Sequence, residues 1–186
     1  MSRIVGIAGS LRAGSFNAAL LRTAVELAPG GTTIEAASIK GIPLYDGDVE
    51  ASQGLPPAVT ELKAKIASSD GLLLVTPEYN NSMPGVLKNV IDWLSRPAAD
   101  IPKVFGNRPV AVMGASPGGF GTILSQNAWL PVLRTLRMRP WFGPPMLVSG
   151  AGKVFDPSGV LTDADVRKRL QDFIAGFAAF IAAHGK

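Results

Sequence analysis

Cysteine is missing from the 186-residue sequence, and histidine occurs once, as His184. The first absence excludes disulfides, iron–sulfur ligation, thiolate nucleophiles and cysteine-zinc sites together. The second excludes a histidine-cluster metal centre and leaves one candidate for a histidine general base. Long apolar runs are also missing. The longest apolar stretch with no charge, Phe173 to Ala183, has 11 residues including a glycine, about half of the ~20 that a membrane span needs. The opening Met1-Ser-Arg-Ile-Val-Gly-Ile-Ala has too short an apolar part for a signal peptide. The expectation is a cytoplasmic protein with no membrane partner. Nor is there a run of four basic residues. Lys+Arg 18 against Asp+Glu 14 gives +4, and the densest basic group, Arg134, Arg137 and Arg139, is too sparse for a nucleic-acid groove. A small anionic ligand is the more economical partner. Any chemistry must come from carboxylates, hydroxyls, backbone groups or a borrowed cofactor.

What is present is an ordinary globular balance, 47% hydrophobic and 17% charged, which excludes a disordered chain. The length predicts a single domain over 1–186, and a domain of this size buries roughly 70% of the surface its unfolded chain exposes. No repeat or linker interrupts it. Short β-rich runs alternate with helical patterns. Strands are expected at 3–8, 32–37, 71–76, 109–115 and 146–148. Gly71 to Thr76 contains Leu-Leu-Leu-Val without polar alternation, as a strand covered on both faces requires. A helix follows Ser15, with Leu20, Ala24, Leu27 and Ala28 on one face, and Pro29-Gly30-Gly31 stops it. Pro56-Pro57 opens a second helix, with Val59, Leu62 and Ile66 inward and Lys63 and Lys65 outward. Pro84 starts a third, and a fourth runs to about Leu136 with Pro131 expected to kink or split it. Thr162 is the expected cap of the last helix, with Asp165 three residues on, and Val166, Leu170, Phe173, Ile174, Phe177 and Ile181 form its buried face.

Alternating strands and helices imply an α/β fold, a parallel sheet with helices on both faces. For five strands with right-handed crossovers the leading topology is flavodoxin-like, order 2-1-3-4-5. Ligands of such sheets bind beyond the carboxyl ends of the strands, and three unusual segments fall there. Gly9-Ser10-Leu11-Arg12-Ala13-Gly14-Ser15-Phe16-Asn17 joins the first strand to a helix start. Backbone N–H groups at that start, the helix dipole, the side chains of Ser10, Ser15 and Asn17, and the Arg12 charge form the set a phosphate needs, with Ser15 as an ordinary N-cap the plainer alternative. The loop lacks the Lys-Ser/Thr of a P-loop and is not G-x-G-x-x-G, so a terminal phosphomonoester fits better than a triphosphate or a dinucleotide. Thr76-Pro77-Glu78-Tyr79-Asn80-Asn81-Ser82-Met83-Pro84-Gly85 is stiffened by two prolines. Its backbone can read the edge of a planar heterocycle and Tyr79 can pack on the ring, whereas Glu78 reads equally as a structural acceptor. Gly114-Ala115-Ser116-Pro117-Gly118-Gly119-Phe120-Gly121 lets backbone approach a flat ligand closely. It also matches G-x-S-x-G, the nucleophile elbow, and Ser116, then Asp156 or Asp163, then His184 follows the chain order of that hydrolase class. A serine esterase using Ser116 is therefore an alternative, set against a base so near a fraying terminus.

The first loop and the stretch 76–97, Thr-Pro-Glu-Tyr-Asn-Asn-Ser-Met-Pro-Gly-Val-Leu-Lys-Asn-Val-Ile-Asp-Trp-Leu-Ser-Arg-Pro, resemble the NAD(P)H-dependent FMN reductases, a family that includes chromate, quinone and azo-dye reductases. Ile42-Pro43-Leu44-Tyr45-Asp46-Gly47-Asp48 and Ser116-Pro117-Gly118-Gly119 match too, so the resemblance spans the chain. It implies bound FMN, NAD(P)H as co-substrate, and a homodimer or homotetramer. It implies that Ser10, Arg12, Ser15, Phe16 and Asn17 hold the FMN phosphate. Pro77, Glu78, Tyr79, Asn80 and Ser82 would border the isoalloxazine, and Ser116, Gly118 and Gly119 would line its far side. Lys88, Asn89 and Asp92 match the family pattern as loop braces. Thr122 and Pro131 depart from it, near the expected oligomer surface. The implied activity is hydride transfer from NAD(P)H through FMN to quinones, flavins, dyes or oxidised metal ions such as chromate, with no protein acid or base and no metal ligands. The alternative from another class is a flavodoxin-type electron carrier without NAD(P)H turnover, which the net positive charge disfavours. Trp93 and Trp129 read as core aromatics, with an interface as the alternative.

Overall fold

The structure, a computed structural model, describes residues 1–184. Its centre is a parallel sheet in which β1 (Ser2–Ala8), β2 (Thr32–Ala37), β3 (Gly71–Val75) and β4 (Pro109–Ala115) lie in the order β2-β1-β3-β4. The fifth position is divided. β5 (Arg139–Pro140) pairs with the start of β4, and β6 (Leu147–Val148) pairs with its end. The order 2-1-3-4-5 therefore holds, with the expected fifth strand as β6 and an extra piece, β5, before it. Proline explains the break. Pro144 and Pro145 lack the N–H that a continuous ladder needs, and the chain between the two pieces turns Trp141 inward instead. Its indole packs edge-on against Phe173 at 4.9 Å, in space that a Cβ on Gly176 would close, since it would stand 2.8 Å from the ring.

Side-chain alternation along the strands builds two cores. Ile4, Leu73, Val75, Ala111 and Met113 face α1 (Phe16–Glu26) and α8 (Ala164–His184). Val5, Ile7, Leu72, Leu74 and Val110 face α3 (Pro57–Ala67), α4 (Gly85–Leu94) and α6 (Ile123–Thr135). Leu72, Leu73 and Leu74 are completely buried, each side chain contributing about 1.5–3 kcal/mol. The expected buried faces of α1, α3 and α8 are in place, although Leu27 and Ala28 are only partly buried. Trp93 and Trp129 are fully buried core residues. Short helices α2 (Gly47–Gln53), α5 (Ile101–Val104) and α7 (Ala151–Val154) complete the described chain.

Four local expectations are corrected. Lys63 is 8% exposed rather than outward. Its ammonium donates to the Arg96 carbonyl and pairs with Asp100 at 2.7 Å, and these partners make burial of the charge tolerable. Pro131 does not split α6, which runs through it. The proline lies on the solvent side, where water can serve the one carbonyl it leaves unpaired. The cap of α8 is Asp163 rather than Thr162, since its Oδ1 accepts from Val166 N–H at 2.9 Å while Thr162 Oγ1 donates to the Val154 carbonyl. Thr122 is not near a surface. It is completely buried, packed where a Cβ on Gly114 would come within 2.4 Å of its Oγ1.

Candidate functional site

The sheet brings the three segments together at its carboxyl edge, because β1, β3 and β4 are adjacent and parallel. The first segment enters α1 through Ser15, whose Oγ accepts from Ala18 N–H at 3.2 Å. The capping alternative is therefore realised, and it leaves the hydroxyl proton available. Among the described residues Ser15 O–H, Phe16 N–H and Asn17 N–H donate to nothing, so the first turn of α1 presents unpaired donors at the positive end of its dipole. The Arg12 guanidinium donates to the Gly14 carbonyl at 2.7 Å and lies 5.5 Å from the centre of the Phe16 ring. Among the described residues no carboxylate lies within 4.0 Å of it. Phe16 is itself stacked on Phe155.

The Asn17 side chain is engaged with the third segment. Its Nδ2 donates to the Ala115 carbonyl and its Oδ1 accepts from Ala115 N–H, both at 2.9 Å. This two-point clasp ties the start of α1 to the end of β4, and at 3% exposure it is sealed from water. Most of the amide's capacity is spent on positioning.

The second segment is rigid for identifiable reasons. Tyr79 and Ser82 exchange backbone hydrogen bonds at 3.1 and 3.0 Å, closing a two-residue hairpin whose central residues, Asn80 and Asn81, have φ of 50° and 61°. That is the type I′ turn, and asparagine is among the few non-glycine residues that accept it. Tyr79 is thereby aimed at the first segment, its hydroxyl 3.4 Å from Ser10 Oγ. Thr76 fixes the root. Its Oγ1 donates to the Pro77 carbonyl at 2.9 Å, shares a hydrogen bond with Ser125 Oγ at 2.8 Å and accepts from Trp129 Nε1 at 3.2 Å. Glu78 reaches across to α6, where its Oε2 accepts from Leu124 N–H at 2.9 Å and Ser125 N–H at 3.0 Å. Thr122 offers α6 no side-chain cap, so Glu78 supplies it from another loop, as the structural reading allowed.

The third segment follows β4 closely under Thr76, where a Cβ on Gly114 would stand 2.1 Å from the Thr76 carbonyl oxygen. Only glycine fits. Ser116 is 8% exposed and its Oγ donates to the Gly121 carbonyl. The esterase alternative fails on this geometry. His184 Nδ1 lies 2.9 Å from the Phe180 carbonyl, and the His184 carbonyl accepts from Arg139 at 2.9 Å. Arg139 pairs with Pro109 at the start of β4, whereas Ser116 follows the strand's other end, roughly 20 Å away at ~3.3 Å per residue. Asp156 is occupied by Ser158 and Val160, and Asp163 by the α8 cap.

One cleft of about 280 Å³ results. Ser10, Arg12, Phe16, Asn17, Pro77, Glu78, Tyr79 and Ser116 line it, with Ala115 and Pro117, which sequence reasoning did not single out. Pro117 lay within the recognised Gly-rich stretch, and Ala115 offered no signal. Ser15, Asn80, Ser82, Gly118 and Gly119 lie in the bordering segments without lining the cleft itself. The N–H groups of Glu78, Asn80, Gly118 and Gly119 donate to nothing among the described residues. Asn89 is a brace, but of the 43–45 segment: it accepts from Tyr45 N–H and donates to the Pro43 carbonyl, each at 2.8 Å. Lys88 and Asp92 pair with each other at 2.7 Å along α4.

A cationic side chain and unpaired helix-start donors beside a cleft, with unpaired N–H groups on the bordering segments, suit a phosphorylated planar heterocycle, and the donors present fit FMN. The comparisons agree. The profile of the family described as NADPH-dependent FMN reductase matches residues 2–152. An NAD(P)H-dependent FMN reductase from Pseudomonas aeruginosa is 46% identical over 169 residues, covering 91% of this chain and 89% of that protein. A 2-hydroxy-1,4-benzoquinone reductase from Burkholderia sp is 38% identical over 179 residues, 96% of each. Among solved structures, the flavoenzyme NAD(P)H:(acceptor) oxidoreductase from Paracoccus denitrificans superposes with a TM-score of 0.88 at 33% identity over 100% of both chains. With the resemblance, the fold and the cleft in accord, the chain belongs to the NADPH-dependent FMN reductase family.

Proposed function

We propose that the chain is an NAD(P)H-dependent, FMN-containing oxidoreductase acting on small-molecule acceptors of the quinone class. The cleft carries this reading: an anion seat built from Arg12, Ser10, Ser15 and the α1 N-terminus opens into a slot between the second and third segments. Bound FMN supplies the two-electron chemistry. The protein supplies position. Arg12 and the hydroxyls would hold the phosphate end, each charge-assisted hydrogen bond contributing about 1.5–3 kcal/mol. Pro77 and Tyr79 form one border of the slot and the Ser116–Gly119 backbone the other. The unpaired N–H groups of Glu78, Asn80, Gly118 and Gly119, on the bordering segments, would be the donors available to the polar edges of the ring. No lining side chain is arranged as an acid or base, since the Glu78 carboxylate is held by α6. The exchange balances as NAD(P)H and a proton with a quinone, giving NAD(P)+ and a hydroquinone.

The test is steady-state oxidation of NADPH by FMN-loaded protein with a simple benzoquinone. Turnover is expected. A flavodoxin-type carrier would bind FMN and give none. The same reading extends to a single-domain, cytoplasmic homo-oligomer. In its support, no helix of the described residues is long and apolar enough to cross a membrane. Phe120, Ile123, Leu124, Leu130 and Phe142 expose an apolar surface on α6 and its flanking loops, Phe120 and Phe142 at 79% and 78%. Such a patch marks an interaction surface, and light scattering reads the state.

A further inference from the structure

A second groove, of about 340 Å³, lies on the other side of the first segment. Ser10 and Arg12 belong to both concavities. The groove runs to the carboxyl end of β2, where Ser38 and Lys40 close it, and Arg22 of α1 lines its flank. Three cations and no carboxylate line it. Among the described residues none of the three has a carboxylate within 4.0 Å. Glu61 lines an adjoining pocket with Ser38 and Lys40, but it and Glu35 are both paired with Lys65, at 2.9 and 3.1 Å.

The three cations are not equivalent. Arg12 is engaged on the cleft side with Gly14 and Phe16. The Arg22 guanidinium rests beside Gly159, where a Cβ would stand 2.8 Å from it, so it contributes field rather than contact. Lys40 makes no side-chain hydrogen bond or ion pair among the described residues. Its N–H donates to Ser38 Oγ at 3.2 Å, which folds the Ser38–Lys40 corner and leaves the serine proton available.

We propose that this groove is a phosphomonoester subsite for the 2′-phosphate of NADPH, with Lys40 and Ser38 as its readers; the proposal rests on the function argued above. Two considerations select this ligand. First, a 2′-phosphate needs cations and hydroxyl donors and no acid where it lies, and the groove offers Arg12, Arg22, Lys40 and Ser38 and no carboxylate. β2 ends at Ala37, and Ser38 and Lys40 follow it. Second, the span is suitable. From the slot between β3 and β4 to β2 is two and a half strand spacings, about 12 Å at ~4.8 Å each, within reach of a dinucleotide whose nicotinamide lies in the slot.

The test is Lys40→Ala together with Ser38→Ala in FMN-loaded protein. The ratio of kcat/KM for NADPH to that for NADH is expected to fall at least tenfold, through KM. In a binding readout free of turnover, calorimetry with 2′-AMP should show an affinity at least tenfold above 5′-AMP in the parent, and that advantage should vanish in the variant. Lys40→Arg should restore part of both. A parent without NADPH preference, a variant with an unchanged ratio, or equal binding of the two nucleotides to the parent would each overturn the subsite. A parent that oxidises NADH but does not distinguish NADPH sinks the subsite and spares the oxidoreductase, whereas a parent that oxidises neither sinks both.

Discussion

The two ends of the sheet treat their polar groups in opposite ways. At the amino end, Arg108 is 1% exposed, and its guanidinium donates to carbonyls of Val104, Ser69, Ala67 and Lys103. One side chain thus closes the carboxyl ends of α3 and α5, where a cation is favoured by the helix dipoles. Burial pulls its pKa down from the ordinary arginine value, with Asp70 opposing. At the carboxyl end the same backbone chemistry is left open. N–H groups of α1 and of the second and third segments have no partner among the described residues, and Arg12 has no carboxylate. A buried orphan donor costs about 1–3 kcal/mol, so only an end that keeps water or a ligand can leave so many. Satisfaction marks the structural end, and its lack coincides with the cleft.

Mutation can sharpen this contrast. The largest effect is expected for Arg108→Met, which orphans several buried carbonyls. A loss of about 3 kcal/mol corresponds to a fall in Tm of roughly 6–12 °C for a chain of this size, read by thermal melting, while FMN affinity of the folded fraction stays within twofold. Arg12→Ala should do the reverse. FMN affinity falls at least tenfold, about 1.4 kcal/mol, and the Tm of the FMN-free protein moves by less than about 2 °C, since exposed substitutions rarely exceed 0.5 kcal/mol. Glu78→Ala stands between. Losing the cap of α6 costs about 1 kcal/mol and frees one rim of the slot, so both Tm and FMN affinity decline modestly, and Glu78→Gln, which can still accept, should recover most of each.

The smallest effect is a pH dependence remote from the cleft. Hydrogen bonding from Arg96 holds the Glu50 carboxyl below its ordinary value, Lys63 does the same for Asp100, and the Ser158 hydroxyl for Asp156. A carboxyl lowered by folding stabilises the native state above its unfolded pKa, and that stabilisation is lost as pH falls through the lowered folded value. Tm should therefore decline on acidification below the usual carboxylate range. Arg96→Leu should flatten part of that slope, whereas an unchanged slope would remove the Glu50 contribution.

Much of the frame was legible beforehand because it rests on local pattern. An all-apolar Leu72-Leu73-Leu74 can only be a doubly covered strand, and the Gly/Ser/Arg loop after β1 has one obvious use at a helix start. What was not legible depended on long-range partners. Lys63 reads as outward by helical phase, yet Asp100 and the Arg96 carbonyl draw it in. Asn17 and Glu78 carry the composition of ligand-binding groups, but Ala115 and the α6 N-terminus, 98 and 46 residues away, had already engaged them. No spacing rule reports that. Pro144 and Pro145 mark the division of the edge strand in the sequence itself, but the inward turn of Trp141 between the two pieces depends on the space left at Gly176 on α8.

The central claim is the anion seat, and paired titrations of the FMN-free protein with FMN and with riboflavin test it most directly. If Arg12, Ser10, Ser15 and the α1 N-terminus hold the phosphate, two charge-assisted hydrogen bonds alone contribute about 3 kcal/mol, and FMN should bind roughly 100-fold more tightly than riboflavin. Equal affinities would contradict the assignment and leave the open end of the sheet without its explanation.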